Sequence, residues 1–313
     1  MAIHDHDHHA QGKDDHHAHG HAPRQFGRAF AAATFLNIAL VVAQIVYGIR
    51  ASSVALVADA GHNFGDVLGL VLAWVGHSAA QRPPTARYTY GLRSASILAA
   101  LLNAVLLLVA TGAIAWEAIR RLAEPGEVAG LIVMTVAAIG VVVNGGSALL
   151  LMAGSKGDLN VRGAFLHLLG DAAVSVGVVA AGAGILLTGW HWLDPLASLM
   201  ISAVIVWSSW GLLRGAIALS LHAVPAKIDP GEVRRYLEGL DGVSGIHDLH
   251  IWPMSTTETA LTVHLEMPGG HPGDALLMQA ARDLKRRFSI GHATIQVEVN
   301  DETVCSLAPD ETV

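Results

Sequence analysis

The chain has 313 residues, of which 52% are apolar and only 14% are Asp, Glu, Lys or Arg. Ordinary soluble domains carry about 25% charged residues, so the composition reads as a helical membrane protein. A formal net charge of −7 and a mean hydropathy of +0.47 exclude a nucleic-acid binder and a globally disordered chain, and the single cysteine, Cys305, excludes a disulfide framework.

Residues 1–23 interleave His4, His6, His8, His9, His16, His17, His19 and His21 with Asp, Gly and Ala. They have no apolar run to build a core, and are expected to form a disordered, metal-collecting or merely solvated tail. Six apolar segments follow, at about 29–49, 54–79, 94–119, 128–153, 163–189 and 195–219. Each is long enough to cross a hydrocarbon layer of about 30 Å as a helix. Lys13, Arg24, Arg28, Arg82, Arg87, Arg93, Lys156, Arg162 and Arg214 flank one face, against Arg50, Arg120 and Arg121 on the other. An even number of spans with this bias puts both termini in the cytoplasm of a multi-pass protein of the inner (plasma) membrane. Polar Asn37, Gln44, Asn103 and Asn144 inside these segments are expected to hydrogen-bond between helices.

Beyond Pro225 the composition turns to that of a soluble domain. Helical patterns at 230–240 and 273–288 and strand patterns at 245–252, 257–267 and 293–299 give the order αββαβ, a small α+β sheet with helices on one face. The expected organisation is a tail (1–23), a six-span all-α transmembrane domain (24–222), a cytoplasmic α+β domain (223–305) and a C-terminal tail (306–313).

The chemistry lies in two short motifs. HNFGD in the second segment and HLLGD in the fifth place His62 four residues before Asp66 and His167 four before Asp171, so each pair shares a helix face. Ionisable groups in a bilayer are costly, and two such pairs at matching depth are expected to face each other or a watered cavity. Two imidazoles and two carboxylates form an N2O2 shell that suits Zn2+, with Co2+ and Cd2+ as competitors. The alternative is a His–Asp hydrogen bond internal to each helix or part of a proton relay, and the second copy at equal spacing argues against it. Asp59, seven residues before Asp66, reads equally as a helix N-terminal charge or as an entry-path carboxylate.

With SSVALVADAGHNFGD, RYTYGLR, LNVRGAFLHLLGDAAVSVGV, HDLHIW and ATIQVE, the chain after its tail resembles the cation diffusion facilitator family, in its zinc-transporting branch. The resemblance implies a homodimeric metal/proton antiporter with a cytoplasmic domain of ferredoxin-like, metallochaperone-like topology. It implies a transport site of His62, Asp66, His167 and Asp171, and a possible cytoplasmic metal site of His247, His264, His292 and Glu298. Strand alternation instead groups His247 with Leu249 and Ile251, so that site requires a bulge in the first strand. The chain departs from relatives that carry an Asp/His-rich loop between spans two and three, a His-rich loop between spans four and five, or a terminal Cys pair, since Cys305 stands alone.

The expected activity is therefore secondary transport: export of Zn2+, as substrate rather than prosthetic group, in exchange for protons that compete for the same ligands. No GxxxxGK[ST] signature occurs to couple ATP. The alternatives are an intramembrane zinc-dependent hydrolase, which lacks the usual HExxH, and a metal sensor or store, which leaves the buried pairs unexplained.

Overall fold

A computed structural model of the chain describes residues 24–152, 159–299, 305 and 307, with side chains from Phe35 to Met152 and from Phe165 onward. The His-rich tail and residues 308–313 lie outside the described residues. Six long helices come first: α1 (Arg24–Arg50), α2 (Val54–Ala80), α3 (Ala95–Ala123), α4 (Gly130–Met152), α5 (Leu159–Thr188) and α6 (Leu193–Ser220). Among the described residues, four of them, α3 to α6, are long and apolar enough to cross a membrane. The equally long α2 interrupts its apolar run with Asp59, His62, Asn63 and Asp66.

Packing on these helices is inverted relative to a soluble protein. Small residues such as Ala55, Ala58 and Ala137 are fully buried, while Trp207, Leu187 and Val142 point outward, as expected where the surrounding solvent is hydrocarbon and close backbone approach drives helix association. The contact of α4 with α5 depends on two glycines. A Cβ on Gly182 would lie 2.8 Å from the backbone N of Met134, and one on Gly130 would lie 3.1 Å from the Gly182 carbonyl.

The start of α2 is fixed from another helix. Ser53 caps it by accepting a bond from Leu56 N at 3.1 Å. Asp194, buried at the start of α6, accepts from Val54 N at 2.7 Å and Ala55 N at 3.3 Å and from the Ser53 hydroxyl. Three of the four orphan amide groups of a helix N-terminus are thereby satisfied without water. His191 is also structural, its Nδ1 accepting from Val128 N at 3.1 Å.

The C-terminal domain comprises α7 (Pro230–Glu238), β1 (Gly245–Pro253), β2 (Thr259–Glu266), α8 (Asp274–Phe288) and β3 (Ile290–Glu298), in the order expected. The sheet runs β1-β2-β3, with β1 antiparallel and β3 parallel to β2. Val233 and Leu237 of α7 and Leu284 of α8 pack with Leu261, Val263 and Leu265 of β2 in one core. The alternation in β1 breaks between His247, opposite His264, and His250, opposite Thr262. Asp248 there takes a φ of 51°. This bulge turns His247 away from the register of Leu249 and Ile251.

The loop joining α2 to α3 touches this domain. Arg93 pairs with Glu258, Ser94 Oγ donates to the Met254 carbonyl at 3.3 Å, and Thr256 N donates to Ser96 Oγ at 3.1 Å. The C-terminal end of α2 and the N-terminal end of α3 thus lie at the domain's end of the helix bundle.

Candidate metal site

The two motifs meet across α2 and α5. His62 Nε2 lies 3.3 Å from Asp171 Oδ1, and His167 Nε2 lies 3.2 Å from Asp66 Oδ2, so each imidazole faces the carboxylate of the other helix. The distances within each helix are longer, 3.9 Å for His62 to Asp66 and 3.6 Å for His167 to Asp171. The imidazole centroids are 6.1 Å apart with an edge-on ring angle of 72°. The reading in which each His bonds only its own helix's Asp is therefore not the arrangement seen.

Ligand atoms about 2.0–2.2 Å from a tetrahedral Zn2+ lie about 3.3–3.6 Å from one another; one ligand atom each from His62, Asp66 and Asp171 falls within 4.8 Å of the others, and His167 stands outside that group, 3.2 Å from Asp66 and 3.6 Å from Asp171. His62 Nδ1 and Asp66 Oδ2 are buried without a hydrogen-bond partner among the described residues. The 3.2 Å approach of His167 to Asp66 Oδ2 therefore lacks hydrogen-bond geometry, as when donor and acceptor atoms are turned toward a common point rather than toward each other. Buried polar atoms left in this way are costly unless a further group satisfies them.

A cavity of about 730 Å³ leads to this cluster, with His62, Asp66, His167 and Asp171 all in its wall. It continues along Gly69 and Leu70 of α2, Asn103 of α3 and Leu212 of α6, toward the bundle end that meets the C-terminal domain. Of the polar residues expected to bond between helices, Gln44 does so with Asp59 and Asn63. Asn144 has both side-chain polar atoms buried without a partner, and Asn37 Oδ1 and Asn103 Oδ1 are likewise unpaired among the described residues.

The C-terminal domain holds a second cluster whose composition differs from the expectation. His247, His264 and Glu298 converge, and their fourth companion is Cys305, with one ligand atom from each within 4.8 Å of the others. His264 Nδ1 stands 2.9 Å from Glu298 Oε1 and 3.6 Å from Cys305 Sγ, and His247 Nε2 is 3.4 Å from Glu298 Oε1. His292 is not brought to this cluster. It sits opposite Ala260 at the other end of β3, its ring edge-on to Tyr90 at 5.6 Å, because three residues of extended strand, Ala293 to Ile295, separate it from Gln296, the partner of His264. Cys305, read as isolated for want of a second cysteine, is thus placed among the histidines. Asp248 was missed as well: its Oδ2 lies 3.5 Å from His264 Nε2, an orientation available only because of the bulge. Partial desolvation pushes the Glu298 carboxyl upward, but the Cys305 thiol, His247 and His264 outweigh it and hold the group below the ordinary carboxylate range.

Comparison with known proteins agrees with this architecture. Residues 30–219 match the family model described as the cation efflux transmembrane domain, and residues 225–300 match that of the cation efflux protein cytoplasmic domain. The chain is 36% identical over 294 residues to the zinc transporter ZitB of Pectobacterium atrosepticum, covering 93% of this chain and 92% of that protein. It is 33% identical over 267 residues to the cadmium, cobalt and zinc/H(+)-K(+) antiporter of Bacillus subtilis, covering 82% and 84%. To the metal cation efflux system protein CzcD of Cupriavidus metallidurans it is 34% identical over 284 residues, covering 90% of each.

Proposed function

Because the chain belongs to the cation efflux family and is a multi-pass membrane protein, a transporter rather than an enzyme, we propose that it exports Zn2+ from the cytosol in exchange for protons. His62, Asp66, His167 and Asp171 are the transport site in this reading. The observation that carries it is the crossed pair of His–Asp contacts between two helices, His62 with Asp171 and His167 with Asp66, in the wall of a cavity within apolar helices. Co2+ and Cd2+ fit the same donors less selectively. Zn2+ requires neutral imidazole and ionised carboxylate, so protonation of the ligands releases it and deprotonation admits it. If the site faces each side in turn, that competition is exchange. Relatives named as zinc transporter and as zinc/H(+)-K(+) antiporter support this reading, and the intramembrane hydrolase reading has no support.

The same proposal has six membrane spans with both termini in the cytoplasm of the inner membrane, residues 24–222 as transport domain and 223–305 as cytoplasmic domain. The αββαβ order is the ferredoxin-like βαββαβ pattern without its first strand, and the domain pairs two chains into a homodimer. The cluster of His247, His264, Glu298 and Cys305 is a secondary cytoplasmic metal site.

The test uses purified protein in sealed vesicles, with zinc uptake followed under an imposed pH gradient. Accumulation driven by the gradient and reversed with it is the expected result. Zinc movement indifferent to the gradient would overturn the exchange, and no movement would overturn the transport reading.

A further inference from the structure

The two cross-helix contacts of the transport site are the first rungs of a longer ladder. Along α2, Asp66, His62 and Asp59 face α5 in turn; along α5 their partners are His167, Asp171 and Ser175. The third rung has the same span as the others, Ser175 Oγ donating to Asp59 Oδ2 at 3.2 Å, beside rungs of 3.2 and 3.3 Å. It lies one turn beyond His62 on the side turned away from the cavity and from the C-terminal domain.

Asp59 is fully buried. Both of its donors, Ser175 and the Gln44 amide at 2.6 Å, go to the same oxygen, and Oδ1 has no partner among the described residues. If its task were only to tie α1 and α5 to α2, an amide would serve equally well and would avoid placing a carboxylate in hydrocarbon. An acidic side chain kept in a membrane interior with an oxygen unused marks an ion path. The neighbouring rung supplies the ion.

Resting on the zinc-transport reading above, we propose that Asp59 is a further cation-binding residue of the cycle: the carboxylate that receives the metal when the site turns to face away from the cytoplasmic domain, with the Ser175 hydroxyl beside it. In the arrangement seen here the third rung is shut by Gln44 and Ser175, and the cavity ends at the second. When α1 and α5 move relative to α2, those donors separate from Asp59 and expose both its oxygens to the departing cation. The metal then leaves by exchanging ligands one rung at a time, avoiding a single step from four ligands into water.

The experiment compares the full-length protein with Asp59→Asn and Ser175→Cys in sealed vesicles. Asn keeps an oxygen that can accept from both Gln44 and Ser175, so the closed arrangement is preserved and only the charge is removed. Turnover of Zn2+ by Asp59→Asn is expected to fall roughly 10-fold or more, while Zn2+ binding by the solubilised protein stays within about 2-fold. Ser175→Cys adds a softer ligand to the third rung, and in competition its Cd2+ to Zn2+ transport ratio is expected to rise several-fold, a readout that a merely structural rung would not move. Wild-type turnover by Asp59→Asn, or an unchanged ratio in Ser175→Cys, overturns the proposal while the unaltered protein still accumulates zinc. If the unaltered protein accumulates none, the transport reading falls and takes this one with it. Should Asp59→Asn fail to fold, the Ser175→Cys ratio decides alone.

Discussion

His62 Nε2 stands 3.3 Å from Asp171 on the other helix, nearer than His62 comes to Asp66 one turn along its own helix at 3.9 Å. The i,i+4 spacing within each motif puts the two side chains on one face, but the shortest His–Asp contacts run between helices. Each ligand therefore depends on the relative placement of α2 and α5, and a rigid-body shift between them changes all four ligand distances together. A site built this way can bind tightly in one arrangement and weakly in another, which is what a carrier requires.

Replacing Asp171 by Ala removes one of the four proposed ligands and the contact from α5 to His62. Zinc uptake by vesicles is expected to fall roughly 100-fold or more, at or beyond the upper limit usual for groups that only support a ligand. The protein is expected to elute from a size-exclusion column as the unaltered protein does. Near-normal flux in a well-folded variant would remove α5 from the site.

His62→Asp exchanges an imidazole for an oxygen ligand. The Zn2+ to Mn2+ transport ratio is expected to fall, since harder cations gain from the change and Zn2+ loses a preferred donor. Competition transport at equal concentrations of the two ions measures it, and an unaltered ratio would count against His62 as ligand.

Asp194→Ala withdraws the carboxylate that accepts from Val54 N, Ala55 N and Ser53. Loss of a buried cap with several partners is expected to cost about 1–3 kcal/mol, lowering the midpoint of thermal unfolding in detergent. Ser53→Ala, which leaves the carboxylate in place, should cost less. Equal midpoints for Asp194→Ala and the unaltered protein would show that water replaces the cap.

The Glu298 carboxyl is held below its ordinary value of 4.5. A group depressed on folding contributes stability that is complete above the unfolded value and is lost as pH falls through the folded one. The unaltered protein should therefore exceed Glu298→Gln in stability above about pH 4.5, and the margin should shrink as pH falls below it. Unfolding midpoints of both proteins across the acid range check the sign; a margin that grows on acidification would contradict it.

Cys305→Ser is expected to weaken zinc binding at the proposed cluster of His247, His264, Glu298 and Cys305 while leaving vesicle transport at saturating zinc unaltered, because the cluster stands apart from α2 and α5. Equilibrium zinc titration of the full-length variant measures the first and flux the second. Unchanged binding would make the thiol a bystander.

Much of this was open to reading in one dimension. The scarcity of charge fixed a membrane protein, because no soluble surface can be built from these residues. Repetition of HxxxD at helical spacing singled out the four residues proposed as ligands, and the periods of 3.6 and 2 gave αββαβ beyond Pro225. Such features are local: backbone geometry alone relates residues two, three or four apart.

What required the tertiary structure is everything that joins residues far apart in the chain. That His62 faces Asp171 and His167 faces Asp66 depends on the antiparallel approach of α2 and α5. The same approach makes Asp59 and Ser175 a third rung, although nothing near Ser175 in the sequence distinguishes it from other serines on these helices. In the C-terminal domain a single extra residue in β1, accommodated by the positive φ of Asp248, turns His247 toward His264, and Cys305 stands beside His264 while His292 stays with Tyr90. A bulge reverses every later side chain in a strand, and a residue outside the strands has no register to place it; alternation and spacing contain neither choice, and only packing makes it.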